Sequence, residues 1–187
     1  MIWILLAVAA LALAAWVIVT YNGLVRRRQM AEEGWSGIDV QLRRRADLVP
    51  NLVETVKGYA THEQDLLEKV TELRNQARAA APDDVAGRSR AEGMLSGVLG
   101  RLLAIVENYP ELKADRNFLE LQQSLQSVEN DIQMSRRYYN GAVRELNVTV
   151  ESFPSNLVAG WFGFGKRSFF EVENEADRDA PKVAFPR

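Results

Sequence analysis

The 187-residue chain contains no cysteine and a single histidine, His62. Without cysteine there is no disulfide framework, no thiolate nucleophile and no cysteine-ligated metal site. Any Ser-His-Asp arrangement would have to recruit His62, and no serine lies in a nucleophile-elbow sequence. His62-Glu63 is not followed by a second histidine four residues on, so the zinc-protease pattern is missing. Asp83-Asp84 lack the ligand spacing of a calcium loop. Gly163, Gly165 and Lys166 lack the spacing of a phosphate loop. An excess of one charge is missing too: 23 basic residues face 25 acidic ones, for a net charge of −2. That balance disfavours a nucleic-acid binder, which needs a basic footprint. These absences lead to the expectation of a non-enzyme with no catalytic residue, cofactor or metal. The alternative is a hydrolase, or the regulator of one, using a groove near His62 and Glu63.

What the sequence does have is one long uncharged run, IWILLAVAALALAAWVIVT, residues 2–20. At ~1.5 Å per residue such a helix is about long enough to cross a ~30 Å hydrocarbon layer. Trp3 stands near one end, and Trp16 and Tyr21 near the other, where amphipathic rings favour the membrane interface. A cleaved signal peptide is the competing reading. No basic segment precedes the run, however, and the run is longer than a signal-peptide core, so an uncleaved anchor over residues 1–21 is preferred. Arg26, Arg27 and Arg28 follow at once, and basic residues are retained on the cytoplasmic side. The expected topology is single-pass, with the N-terminus outside and the body inside.

The remainder reads as helices, with no convincing strand. Leu24, Arg28, Ala31, Trp35, Ile38 and Leu42 recur at steps of three and four, which is one helix face. Gly34 and Gly37 weaken that helix unless they admit a close neighbour. Pro50 disfavours helical geometry at Val49, so a break is expected at residues 46–50, with Asp47 capping a second helix over 48–79. His62 would lie on that helix. A loop at 79–84 leads to a third helix, 85–107. The fourth, about 111–152, carries the most regular seam, from Phe118 through Leu125, Val128, Ile132, Tyr139 and Leu146 to Phe153. Such a stripe reads as bundle or coiled-coil packing. The run Arg43-Arg44-Arg45 reads as a solvated helix face, with Asp39 and Asp47 four residues either side of Arg43 as salt-bridge partners. YNG occurs at 21–23 and 139–141, which reads as two similar packing contacts rather than a duplication. The expected fold is all-α: an N-terminal transmembrane helix, then an antiparallel up-and-down four-helix bundle over 22–152.

Two segments remain. Residues 173–187 read as a flexible C-terminus. Residues 153–172 form a glycine-rich aromatic tail carrying Trp161, Phe162, Phe164, Phe169 and Phe170, with Lys166 and Arg167 among them. Rings beside cations suit a lipid interface. Packing onto the chain's own bundle, or onto a neighbouring subunit, would use the same rings. These residues, with Arg26, Arg27 and Arg28, are the candidate contacts for membrane or partner.

The segments YNGLV (21–25), IDVQLRRRADLVPNLVETVKGYATHE (38–63), ENYPELKA (107–114), RRYYNGAVRELN (136–147) and FPSNLVAGWFGF (153–164) together resemble the LemA family of bacterial membrane-anchored helical proteins. The resemblance covers roughly residues 1–172. It implies a four-helix, up-and-down-type bundle in the cytoplasm behind a single anchor in the bacterial inner membrane, with no established enzymatic activity. Some relatives are similar to proteins implicated in forming magnetosome membranes. The function expected on all these grounds is a self-associating, non-enzymatic scaffold or adaptor. Its partners would be the lipid bilayer, further copies of itself and other membrane proteins, with no nucleic acid. A membrane-remodelling or membrane-organising protein is the alternative within the same class.

Overall fold

A computed structural model describes residues 1–60, 62–81 and 83–171. The described residues are helical, with no strand among them: α1 (Ile2–Lys57), α2 (Gln64–Ala79), α3 (Val85–Val106), α4 (Pro110–Ala114), α5 (Arg116–Glu151) and α6 (Ser155–Trp161). The segment expected to be a flexible C-terminus, 173–187, lies outside the described residues. The chain forms two compact units. Met1–Asp39 and Gln133–Phe169 make one; Val40–Ile132 with Phe170 and Glu171 make the other.

In the second unit the expected break at residues 46–50 does not occur. Helix α1 runs through Pro50 to Lys57, so Asp47 caps nothing; its carboxylate instead lies 3.8 Å from Arg78. A proline inside a helix costs about 3 kcal/mol, partly because it leaves the carbonyl four residues back without a donor. That carbonyl belongs to Ala46, and Arg74 Nε of α2 donates to it at 2.8 Å. Val49, Leu52 and Val56, on either side of the proline, are all buried in the core. Burial of such side chains contributes about 1.5–3 kcal/mol each, which exceeds the local penalty.

The turn comes later, after Gly58, where Tyr59 and Ala60 both donate to the Val56 carbonyl. The expected single helix over 48–79 is therefore two elements. His62 is exposed in the turn between them rather than on a regular helix. The expected fourth helix is also interrupted, at Asp115, whose backbone is extended. Its carboxylate accepts from Phe118 N–H at 2.9 Å, capping α5. That bond holds the carboxyl below its usual range, and a contact from the Tyr59 hydroxyl acts in the same direction. The core of this unit joins the end of α1 to Leu67, Val70 and Leu73 of α2, Leu95, Leu99 and Leu102 of α3, and Phe118 and Leu125 of α5.

The arginine run is only partly a solvated face. Arg43 and Arg44 are exposed, and Arg44 lies 3.7 Å from Asp131. Arg45 is 3% exposed, as the stripe Leu42, Arg45, Val49 turns it inward. Its guanidinium meets Glu92 Oε2 at 2.6 Å, Glu129 Oε2 at 2.9 Å and Ser96 Oγ at 2.7 Å. Glu92, also buried, takes a second cation from Arg88, whose Nε is 3.2 Å away. Arg88 and Glu92 continue the buried face of Leu95, Leu99 and Leu102 backwards along α3. Charged residues in step with an apolar stripe are the signal that could have found this cluster.

The first unit pairs α1 up to Asp39 with α5 from Gln133. Leu24, Ala31 and Ile38 are buried on one side and Tyr139, Ala142, Val143 and Leu146 on the other. A Cβ on Gly34 would stand 3.0 Å from Tyr139 Cα, so this glycine admits the backbone of α5. Trp35 packs beside Tyr139 with ring centroids 5.6 Å apart. The two YNG segments do not make similar contacts: Tyr139 is buried, whereas Tyr21 is exposed.

Two outcomes are expected. In the Pro50→Ala variant the new N–H reaches the Ala46 carbonyl. The variant should be more stable by up to ~3 kcal/mol, and Arg74→Met should cost clearly less in that background than alone. Equal costs in a denaturant double-mutant cycle would refute the role given to Arg74. Arg45→Met alone leaves Glu92 short of a buried partner and should cost about 3–5 kcal/mol, whereas adding Glu92→Leu together with Arg88→Met, which removes the second buried cation as well, should recover much of it. Additive losses in thermal unfolding would rule this out.

Candidate membrane-interface site

The apolar part of α1 leaves its side chains uncovered; Trp3, Leu5, Leu11 and Ile18 are all exposed. It is the one helix among the described residues long and apolar enough to cross a membrane. A row of exposed apolar side chains around a whole helix is stable only in a non-aqueous setting.

Helix α5 ends at Glu151, and the chain turns through Ser152, Phe153 and Pro154 into α6. Ser155 Oγ holds this corner by donating to the carbonyls of Thr149 at 2.7 Å and Ser152 at 2.9 Å. The expected tail thus contains a short helix. Its C-terminus is built around Gly163, whose φ of +71° is the left-handed conformation that glycine adopts without strain. Phe164 N–H donates to the Ala159 carbonyl at 2.9 Å, and Gly163 N–H to that of Gly160 at 3.4 Å. This is a Schellman cap with its accompanying apolar contact. It sends Phe164 into a cluster with Leu24, Leu146, Val158 and Ala159, against which Trp16 and Val17 also pack.

These contacts fix the height of α6 along α1. Tyr21 meets Phe162 edge-on at 4.8 Å and Phe164 at 5.6 Å. Trp16 and Val17 belong to the last turn or so of the apolar run. Helix α6 therefore lies beside the end of that run. Large apolar side chains on and beside it are uncovered: Trp161 is 84% exposed, Phe153 81%, Leu157 61% and Phe162, despite its contact with Tyr21, 52%. Leu157 and Trp161, four residues apart, share one face of the short helix.

After the cap, residues 165–169 form a strap without regular secondary structure. The Asn147 side chain clamps it at Arg167, donating to its carbonyl and accepting from its N–H, both at 2.9 Å. Tyr139 Oη donates to the Ser168 carbonyl at 2.8 Å. Burial raises the Tyr139 phenol above its ordinary value, and the Arg167 charge acts the other way.

The candidate residues thus separate. Lys166 pairs with Glu151 at 2.7 Å and Arg167 with Glu32 at 2.6 Å. Arg28 lies over the Phe164 ring, 5.1 Å from its centroid. Arg27 donates to the Gly23 carbonyl at 3.3 Å, and Arg26 is exposed. Trp161 and Phe162 face outwards, Phe164 faces inwards, and Phe169 is at the rim. Phe170 is buried and belongs to the other unit. The rings therefore divide between packing and display, a division that composition does not reveal.

No group of three or more residues able to hold a metal occurs among the described residues. A groove of about 600 Å³ opens beside the α1–α2 corner, lined by Ala60, Gln64 and Leu67 among others, but His62 does not line it.

Residues 34–185 match the family model described as LemA family. The chain is 25% identical over 201 residues to the magnetosome protein MamQ of Magnetospirillum gryphiswaldense, covering 93% of this chain and 74% of that one. It is 24% identical over 193 residues to magnetosome protein MamQ 1 of Paramagnetospirillum magneticum, with 90% and 71% covered. Protein LemA of Metamycoplasma hominis is 25% identical over 138 residues, or 74% of this chain and 63% of that one.

Proposed function

This chain belongs to the LemA family, and on that premise we propose that it is a membrane-anchored, self-associating, non-enzymatic scaffold or adaptor whose helical body lies in the cytoplasm. The observation that carries the reading is the height of α6. Phe162, just past its end, meets Tyr21 at the end of the apolar run, and Phe153, Leu157 and Trp161 on and beside it are exposed. A short helix with one apolar face at that height rests in the headgroup layer, its rings entering the acyl boundary. The anchor and α6 then grip the membrane together and hold the first unit at a set depth. Lys166 and Arg167 take no direct part, because each already faces a carboxylate. The alternative role, membrane organisation, draws support from relatives named as magnetosome proteins.

The depth of α6 is measurable with the full chain in nanodiscs. With Trp3, Trp16 and Trp35 changed to phenylalanine, Trp161 is the only indole left. Lipids spin-labelled near the headgroup should quench its emission more strongly than lipids labelled deep in the chain. Emission indifferent to both, with a water-exposed spectrum, would remove the interfacial role.

The basic cluster Arg26–Arg28 supports the inward topology. A reporter that is active only outside the cytoplasm, fused after Arg187, should stay silent in cells. In mild detergent the protein should run well above the mass of a lone 21.0 kDa chain. Strong reporter activity would reverse the orientation, and a monomer mass would remove self-association.

A further inference from the structure

In the first unit, on the same stretch of α1, a second feature lies just past the apolar run. A groove of about 540 Å³ opens between α1 and α5, lined by Val19, Asn22, Arg26, Arg27 and Met30 of α1 and by Glu145 of α5, among others. Val19, Asn22, Arg26 and Met30 recur at steps of three and four, with Arg27 beside them, so the groove follows one helix face from the end of the apolar run outwards. Arg26 is six residues beyond Thr20, about 9 Å along the helix axis. The polar layer on each side of a bilayer is about 5–8 Å thick, so the arginine side chains reach lipid phosphates. Among the described residues no ion pair engages Arg26 or the Glu145 carboxylate. Arg27 spends one N–H on the Gly23 carbonyl, which leaves it further donors.

We infer that this groove binds the headgroup of a phosphoethanolamine lipid, with the phosphate held by Arg26, Arg27 and the Asn22 amide and the ammonium by Glu145. This rests on the membrane reading above. The charge pattern selects the ligand. Two guanidinium groups match a phosphodiester, but a carboxylate on the same groove repels a purely anionic headgroup. A primary ammonium offers three N–H donors to that carboxylate. The quaternary ammonium of phosphocholine offers none, and phosphoglycerol carries no cation at all. Val19, at the lower end of the groove, is an exposed apolar residue against which an acyl chain can lie.

The test is native mass spectrometry of the detergent-solubilised full chain, titrated with phosphoethanolamine, phosphocholine or phosphoglycerol lipids of identical acyl chains. One phosphoethanolamine lipid per chain should be retained about three- to five-fold more tightly than either of the others, as for one charge-assisted contact at a wet surface. Glu145→Gln should abolish that preference without weakening phosphoglycerol lipid. Arg26→Gln alone, and Arg26→Gln with Arg27→Gln, should weaken all three. These side chains are exposed or half-buried, and helical circular dichroism confirms that each variant is folded. Equal retention of the three lipids overturns the inference, as does a phosphoglycerol preference that Glu145→Gln leaves unchanged. Displacement by equimolar soluble glycerophosphoethanolamine would make the ligand a free phosphate ester and also overturn the lipid assignment. If the preference fails while Trp161 is still quenched by headgroup labels, only this site is wrong. If the quenching fails too, the membrane reading itself is lost.

Discussion

Helix α1 has no joint between its apolar run and Asp39, and the first unit depends on that continuity. A helix advances about 1.5 Å per residue, so once residues 2–20 take up a position in a membrane, every later residue of the unit inherits a depth. With residues 2–20 spanning the membrane, as proposed, Tyr21 falls at the boundary and Arg26 about 9 Å beyond the run, within side-chain reach of the phosphates. A flexible linker after Thr20 would have erased these relations, leaving α6 free to face water or lipid. The rest of the unit preserves the register. Gly34 lets α5 approach closely enough for Trp35 and Tyr139 to pack. The Asn147 amide then pins the returning strap at Arg167.

The Schellman cap at Gly163 decides which rings are inside. Phe162 and Phe164 are two residues apart and both touch Tyr21, but across the left-handed Gly163 the first stays half exposed and the second enters the cluster with Leu24 and Leu146. The ion pairs make a similar division among the cations. Glu151 and Glu32 neutralise Lys166 and Arg167, while no ion pair among the described residues engages Arg26. A near-neutral total charge is thus compatible with a strongly patterned surface, because the pattern is set pair by pair over distances shorter than the ~10 Å screening length of salt water.

Much of this was legible in the sequence, and the failures have identifiable causes. The apolar run, the all-helical content and the start of α3 followed from periodicity and from the loop expected at 79–84. Pro50 misled because the rule for proline is local, whereas the deciding terms are the burial of Val49, Leu52 and Val56 and the bond from Arg74 to the Ala46 carbonyl, twenty-eight residues apart. Arg45 misled because three adjacent arginines point in three directions around a helix, and composition cannot say which one meets Glu92. The seam of α5 is regular from Phe118 to Leu146, yet its first half serves the second unit and its second half the first. Periodicity reports that a face is covered and is silent about what covers it. For the site, the aromatic density was visible, but the cap that sorts the rings depends on a positive φ that no ring spacing reveals.

The remaining question about α6 is what covers its outer face, and the chain's own geometry weighs the answers. Four large apolar side chains left in water would forfeit about 25 cal/mol for each Å² that a partner could cover. A neighbouring subunit would supply such cover only at the concentration where it associates. On the proposed reading the bilayer is already present at that height, because the helix that carries Tyr21 is the one that spans it. Ordering α6 also adds little entropic cost on contact, since the Gly163 cap, the Ser155 corner and the Asn147 clamp have fixed it beforehand. A preorganised apolar face held at the boundary by a continuous helix gains its cover from lipid without a separate binding event. That is the arrangement in which Trp161 has most to gain from being exposed.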